Sequence, residues 1–223
     1  MCGRFVAEWS VGDLVKRYSA EIAGDLPGHS WNVSPFSKIT IVLDGRDGTR
    51  RLAPSLWSLI PPWSPTTKLA YPTFNARVES ALEKRTFRES AQHMRCIIPA
   101  TGYYEWKSGK PHYFKLPGDI FNIAGLYTWW RPDEQSAFSL TCTILTRDAV
   151  GDLATIHDRM PVMVPDDMVD DWLSPAVAGS EILPAASSAT EEIASHIQFH
   201  EVRPLKGDGP DLIEAADVAR LAL

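Results

Sequence analysis

The sequence predicts an α+β fold: a single domain built round a curved, largely antiparallel β-sheet with flanking helices. Three observations carry that expectation. Short alternating or β-branched runs cluster between residues 94 and 164 instead of alternating strictly with helical segments, a pattern of α+β chains. Turn chemistry punctuates the runs at Asp44-Gly45 and at Lys107-Ser108-Gly109-Lys110. The chain has 223 residues, 44% of them hydrophobic and 22% charged, which suits one substantial core. No repeat, low-complexity tract or linker divides it.

The elements follow in order. Ser10 is an N-cap candidate for an amphipathic helix through about Ser19, with Val11, Leu14, Val15 and Tyr18 on one face. A loop carrying Gly24, Pro27, Gly28 and Trp31-Asn32-Val33-Ser34-Pro35 comes next. Lys38 to Leu43 alternates as a strand, and Asp44-Gly45 turns it into a second strand near Arg51 to Leu59. Ile60-Pro61-Pro62-Trp63-Ser64-Pro65 is irregular, because its prolines remove backbone donors and restrict the residues before them. Val78 to His93 reads as a helix interrupted near Thr86. Met94 to Pro99, Gly102 to Trp106, His112 to Leu116, Phe121 to Trp130 and Ala137 to Thr146 read as strands, with Pro161 to Val164 a short one. Asp166 to Leu173 is expected as a short acidic helix, Thr190 to Ser195 as another, and Gln198 to Val202 as a late strand.

Composition excludes several classes. No stretch of 18 apolar residues exists, so no membrane-spanning helix is expected, and Arg4 and Glu8 break any signal-peptide layout. Three cysteines, an odd number, argue for a reducing compartment and a cytoplasmic protein. Cys96 and Cys142 lie in apolar runs and read as buried core thiols. Without CxxC or clustered Cys/His spacing, neither a metal nor another cofactor is expected. The net charge of −6 is uneven: residues 1–110 hold 15 Lys+Arg against 10 Asp+Glu, and residues 111–223 hold 7 against 18. A positive face on the first half and a solvated acidic second half both fit that distribution.

Individual residues then stand out. Cys2 follows Met1 in Met1-Cys2-Gly3-Arg4, and removal of Met1 would give a 1,2-aminothiol. Its amine has an ordinary pKa of about 7.7–8.0 and its thiol about 8.5, so both are partly nucleophilic near neutrality. Such a group captures a carbonyl first as a Schiff base and then as a five-membered thiazolidine. Coincidence is the simpler reading of Cys2 alone. Asn75 in Asn75-Ala76-Arg77-Val78-Glu79 is explained equally by helix capping. Glu105 in Tyr103-Tyr104-Glu105-Trp106 is either a solvent-facing strand position or a buried acid with a raised pKa. His157 in Ile156-His157-Asp158-Arg159-Met160-Pro161 is matched to proton transfer, though a lone histidine is more often structural. Trp57, Trp63 and Trp106 fit core filling or, beside arginines, the stacking of single-stranded bases.

The order of these pieces carries a resemblance. Met-Cys-Gly-Arg, Asn32-Val33-Ser34-Pro35, Trp57 through Pro61-Pro62-Trp63, Asn75-Ala76-Arg77-Val78-Glu79, Arg95 through Trp106, Ala124-Gly125-Leu126-Tyr127 and Ile156 through Pro161 follow one another along the chain. Over about residues 2–205 it resembles the SOS-response-associated peptidase (SRAP) family, which senses abasic sites in single-stranded DNA. Residues 206–223 form a C-terminal extension to the same domain. The resemblance implies a barrel-like closure of the sheet and a covalent crosslink to abasic DNA through Cys2 once Met1 is gone. It implies that Asn75 orients Cys2 or the sugar, that Glu105 moves protons, and that His157 helps open the deoxyribose. Arg4, Arg77 and Arg159 match positions expected near phosphates, and Pro35, Trp63 and Trp106 would stack on or wedge between bases. That geometry favours DNA bent at the lesion or at a single-strand to double-strand junction. Tyr127 departs from the Trp that many relatives carry, with the aromatic bulk kept.

Competing readings are a cysteine-dependent peptidase using Cys2, His157 and Asn75, and a non-covalent binder of single-stranded DNA. Strand cleavage by β-elimination, a lyase activity, is open to any Schiff-base-forming amine at an abasic site. The expected assembly is a monomer acting on single-stranded DNA that contains abasic sites, associated with the nucleoid when bound to it and away from membranes.

Overall fold

The structure, a computed structural model, describes residues 2–216; Met1 and residues 217–223 lie outside the described residues. The expected loss of Met1 and the end of the 206–223 extension therefore fall beyond it. Thirteen strands are present among the described residues: β1 (Arg4–Ala7), β2 (Glu21–Ile22), β3 (Ser30–Val33), β4 (Lys38–Asp44), β5 (Arg50–Trp57), β6 (Asn75–Arg77), β7 (Arg95–Ala100), β8 (Gly102–Lys107), β9 (Lys110–Lys115), β10 (Phe121–Trp130), β11 (Ser139–Asp148), β12 (Arg159–Pro161) and β13 (Gln198–Glu201). Four α-helices accompany them: α1 (Val11–Tyr18), α2 (Arg88–His93), α3 (Val169–Leu173) and α4 (Gly179–Ser195).

The α+β expectation holds, and the sheet does curve into a barrel. Strands β5, β4, β7, β10 and β11 neighbour one another in that order. A parallel pairing of β11 with β5, Thr141 opposite Leu56 and Cys142 opposite Trp57, closes the ring. A separate five-stranded antiparallel sheet runs β13-β9-β8-β1-β3. Strand alternation sorts the side chains. Ile39, Ile41, Ala53, Trp57, Cys96, Ile98, Cys142 and Ile144 share one buried cluster with Phe5, Tyr103 and Phe114 of the second sheet. The alternate positions Val42, Leu52, Ile97, Ala124, Leu126 and Leu145 are covered by Leu14 and Tyr18 of α1, Ala91 of α2, Trp172 of α3 and Ile182 and Leu183 of α4.

Local chemistry explains most boundaries. The Ser10 side chain accepts from the Asp13 N–H, capping α1, and Ser19 ends it in the left-handed region. Ser108 and Gly109 both have positive φ, 50° and 82°, so the two-residue β8–β9 turn has the primed geometry that matches strand twist.

Several expectations need correction. The helix expected over 78–93 is interrupted before α2, as expected near Thr86, but its first half is only a 3₁₀ turn at Val78–Ser80 followed by further reverse turns. Tertiary bonds hold that segment: Glu79 pairs with Arg159, and the Tyr71 hydroxyl meets Thr86 Oγ1 at 2.5 Å. The helix expected over 190–195 begins at Gly179 and runs through Pro184, which has no N–H to give to the Ser180 carbonyl one turn back. Gly179 is needed there, since an added Cβ would come within 2.3 Å of the Ala91 carbonyl. The expected short strand at 161–164 lies instead at Arg159–Pro161. Trp31 to Val33, read as loop, belongs to β3, and the N-terminal run that carries Arg4 is β1. Both are short, and pairing with each other and with β8 makes them strands.

Candidate functional site

Cys2, Asn75, Glu105 and His157 converge from four separate segments at the junction of the two sheets. Strand β1 sets the first: Arg4 pairs opposite Tyr104, which brings the residues just before Arg4 beside Glu105. Cys2 precedes the strand and is fully buried in the cluster with Phe5, Trp57 and Tyr103. Asn75 opens β6, whose parallel pairing with β11 sets Asn75 opposite Ile144. From there Asn75 Nδ2 donates to the Cys2 carbonyl at 2.8 Å. The other amide atom, Oδ1, is buried and has no hydrogen-bond partner among the described residues, an acceptor beside Cys2.

Glu105 lies on the same face of β8 as Tyr103 and is only 2% exposed. Burial pushes its pKa up to about 7, so near neutrality both its acid and carboxylate forms are available. Its Oε2 lies 3.7 Å from His157 Nε2. His157 Nδ1 sits 2.9 Å from the Arg159 N–H and also 2.9 Å from Asp158 Oδ1. Nδ1 accepts from the first only in the neutral Nε2–H tautomer; it donates to the second only when it carries a proton itself. Burial lowers the basicity of His157, and Asp158 is largely exposed and screened, so the neutral ring is favoured. Nδ1 then accepts, and the Nε2 proton points toward Glu105. The Cys2 thiol is raised well above its ordinary pKa, first by burial and then by the Glu105 charge, with the Arg4 N–H opposing. It is a protonated S–H at neutral pH.

The expected DNA-contacting residues divide into three settings. Trp63 is 47% exposed, with the Arg85 guanidinium 4.3 Å from its ring centroid. Pro35 stands in a turn whose next residue, Phe36, is 64% exposed at φ 68° and packs edge-on against Phe74, the neighbour of Asn75. Arg77 is exposed and has no carboxylate partner among the described residues. Arg4 and Trp106 occupy the opposite face of the second sheet from Glu105. There Arg4 Nη1 donates to Asn32 Oδ1 at 2.5 Å, and Trp106 packs beside Val6 and Tyr104. Arg159 is 4% exposed: Glu79 grips it with both oxygens at 2.9 Å, and Asp148 and the Thr146 carbonyl hold the remaining edge.

Sequence reasoning missed Asn32 and Glu79 as partners of the site arginines. Glu79 had one available signal, its place in the Asn75-Ala76-Arg77-Val78-Glu79 run. Its partner lies 80 residues away, which no local pattern reveals. Trp57 is core, fully buried, with its Nε1 donating to the Phe74 carbonyl at 2.7 Å. Among the described residues no group of three or more His, Cys, Asp or Glu side chains could hold a metal ion, and no helix is long and apolar enough to cross a membrane.

Comparisons with known proteins point one way. Residues 1–205 match the family model described as SOS response associated peptidase (SRAP). The chain is 34% identical over 229 residues to the abasic site processing protein YoqW of Bacillus subtilis, covering 96% of this chain and 100% of that one. It is 31% identical over 229 residues to the abasic site processing protein YedK of Escherichia coli, covering 96% and 99%. A solved structure from Bacteroides thetaiotaomicron matches in fold with a TM-score of 0.80 at 22% identity, covering 96% of this chain and all of that one. One from Bordetella bronchiseptica matches with a TM-score of 0.73 at 26% identity, covering 91% and 100%.

Proposed function

The chain belongs to the SOS response associated peptidase family, and on that premise we propose that it processes abasic sites in single-stranded DNA by crosslinking itself to them through Cys2. Removal of Met1 exposes the Cys2 α-amine. The ring-opened abasic sugar presents an aldehyde, and the amine nitrogen attacks its carbon to give a carbinolamine. Loss of water gives the Schiff base. The thiol sulfur then adds to the C=N carbon while its proton passes to nitrogen, closing the thiazolidine. One water is released overall.

The observation that carries this reading is the convergence of Asn75 and Glu105 on Cys2, with His157 directed at Glu105. Glu105, with a pKa of about 7, suits the delivery of a proton to the departing hydroxyl. Asn75 fixes the Cys2 backbone and keeps its free Oδ1 for the amine or a sugar hydroxyl. The His157 Nε2–H acts on the sugar hydroxyl during ring opening and steadies Glu105. Arg4 and Arg77 take phosphates, while Pro35, Trp63 and Trp106 meet bases. Arg159 acts differently: its charge is already matched by Glu79 and Asp148, and its backbone N–H orients His157.

The raised thiol pKa speaks against the cysteine-peptidase alternative, which needs a thiolate paired with histidine. It is compatible with the crosslinker, whose first nucleophile is the amine. The test is denaturing electrophoresis after mixing with uracil-excised single-stranded oligonucleotide. The wild-type chain gives a heat-stable shifted band. Cys2→Ser gives one only after borohydride reduction, because its Schiff base cannot close a thiazolidine. A heat-stable band from Cys2→Ser without reduction overturns the assignment.

A further inference from the structure

Residues 206–216, just past the end of the family match at 205, return across the face of the second sheet that carries Arg4 and Trp106. Leu212 is buried, and Leu205 and Ile213 pack with Trp31 and Trp106 against Val6, Tyr104, Tyr113 and Val202. The Ala216 N–H donates to the Glu201 carbonyl at 2.9 Å, and Val202 bridges to Ala215. At its start, the segment reaches β3 by two bonds. Asp208 Oδ1 accepts from the Trp31 N–H at 2.6 Å, and the Gly207 carbonyl accepts from Asn32 Nδ2 at 2.8 Å. The second bond fixes the Asn32 amide: with Nδ2 on Gly207, Oδ1 is turned to Arg4 Nη1.

We infer that residues 206–216 form a strap that positions Arg4 for DNA. Through Gly207 it holds the Asn32 amide, through Asp208 the neighbouring Trp31 N–H, and through Asn32 it presents the Arg4 guanidinium, already ordered, to a phosphate of the single strand. This rests on the phosphate role proposed above for Arg4. No carboxylate pairs with Arg4 among the described residues. Its other N–H donors remain available for phosphate oxygens once Nη1 is engaged by Asn32. Ordering a long side chain before binding removes an entropic cost from the binding step. Asn32 and the strap are therefore positioning elements, remote from the reacting atoms.

The test is a double-mutant cycle on the full chain, using an oligonucleotide with a tetrahydrofuran abasic analogue, which has no aldehyde and reports non-covalent affinity alone. Asp208→Ala is expected to weaken binding by about three- to tenfold, and to have little further effect in an Arg4→Ala background. At saturating abasic DNA, its single-turnover crosslinking rate stays within about twofold of wild type, since the strap serves binding and not the chemical step. Additive losses, or no loss from Asp208→Ala, overturn the inference. Should Asp208→Ala fail to fold, Asn32→Ala carries the same cycle. Amide hydrogen exchange of the DNA-free protein gives an independent arm: Asp208→Ala should speed exchange at Trp31 and Asn32, and unchanged exchange there also overturns the strap. A wild-type chain that forms no crosslink would instead defeat the crosslinker reading, leaving the exchange result to decide the strap.

Discussion

Glu105 shows how a single burial sets both stability and reactivity. Its carboxyl ionises at about 7 in the fold against an ordinary value of 4.5, chiefly because burial disfavours the charge. Between those values the folded chain keeps a proton that the unfolded chain has released. Glu105's contribution to stability is therefore largest below pH 4.5, declines as pH rises toward 7, and is flat beyond. Melting temperatures of Glu105→Gln and wild type, measured across that window, should diverge in the variant's favour as pH rises. Under the proposed function, crosslinking should respond in the same range. If Glu105 delivers the proton that expels water, the rate falls as pH climbs through about 7. Glu105→Gln should lose that limb and slow the reaction by about a hundredfold or more. Asn75→Ala tests the neighbouring link. It removes the bond to the Cys2 carbonyl and should slow crosslinking while single-strand affinity is kept, read by comparing rates at saturating DNA.

Elements place these residues through contacts that local sequence encodes unequally. The Ser10 cap, the Ser108-Gly109 turn and the alternation of β4, β5, β10 and β11 were legible because each rests on neighbours in the chain. Glu105 as a buried acid was one of two equal readings, and only its pairing partners in three dimensions chose between them. The short strands β1, β3 and β6 were not legible. Their few residues carry no period of their own, and their hydrogen bonds go to strands tens of residues away. The same holds for Arg159, whose conversion from a surface cation to a buried one depends on Glu79 and Asp148. Helix α4 was hidden by Gly179 and Pro184, residues that usually break helices; here the glycine lets α4 approach α2. Gly179→Ala should cost about 1–3 kcal/mol, since the Ala91 carbonyl is backbone and cannot simply move aside. Chemical denaturation checks this: the midpoint should fall with the slope unchanged.

At the scale of the whole molecule, net charge and local field oppose one another. A chain of net charge −6 attracts DNA poorly as a body, so under the proposed function binding rests on local cations such as the half-buried Arg4 and the exposed Arg77. Non-covalent affinity for single-stranded DNA should fall steeply with salt, and Arg77→Ala should make the log–log slope shallower by about 0.7. Another arginine serves the fold alone. Arg95 is 2% exposed and donates to the backbone carbonyls of Ala91, Gln92, Trp172, Ser174 and Val177, tying α2 and α3 to β7. Arg95→Leu leaves those carbonyls unpaired and should cost about 3 kcal/mol or more, lowering the melting temperature by roughly 6–12 °C for a chain of this size. The central claim concerns Cys2 as a terminus, and intact-mass spectrometry tests it most directly. A preparation shown to begin at Cys2, mixed with abasic single-stranded oligonucleotide, should give a heat-stable species at the summed mass of protein and DNA less one water. Absence of that species, with the oligonucleotide recovered unmodified, would contradict it.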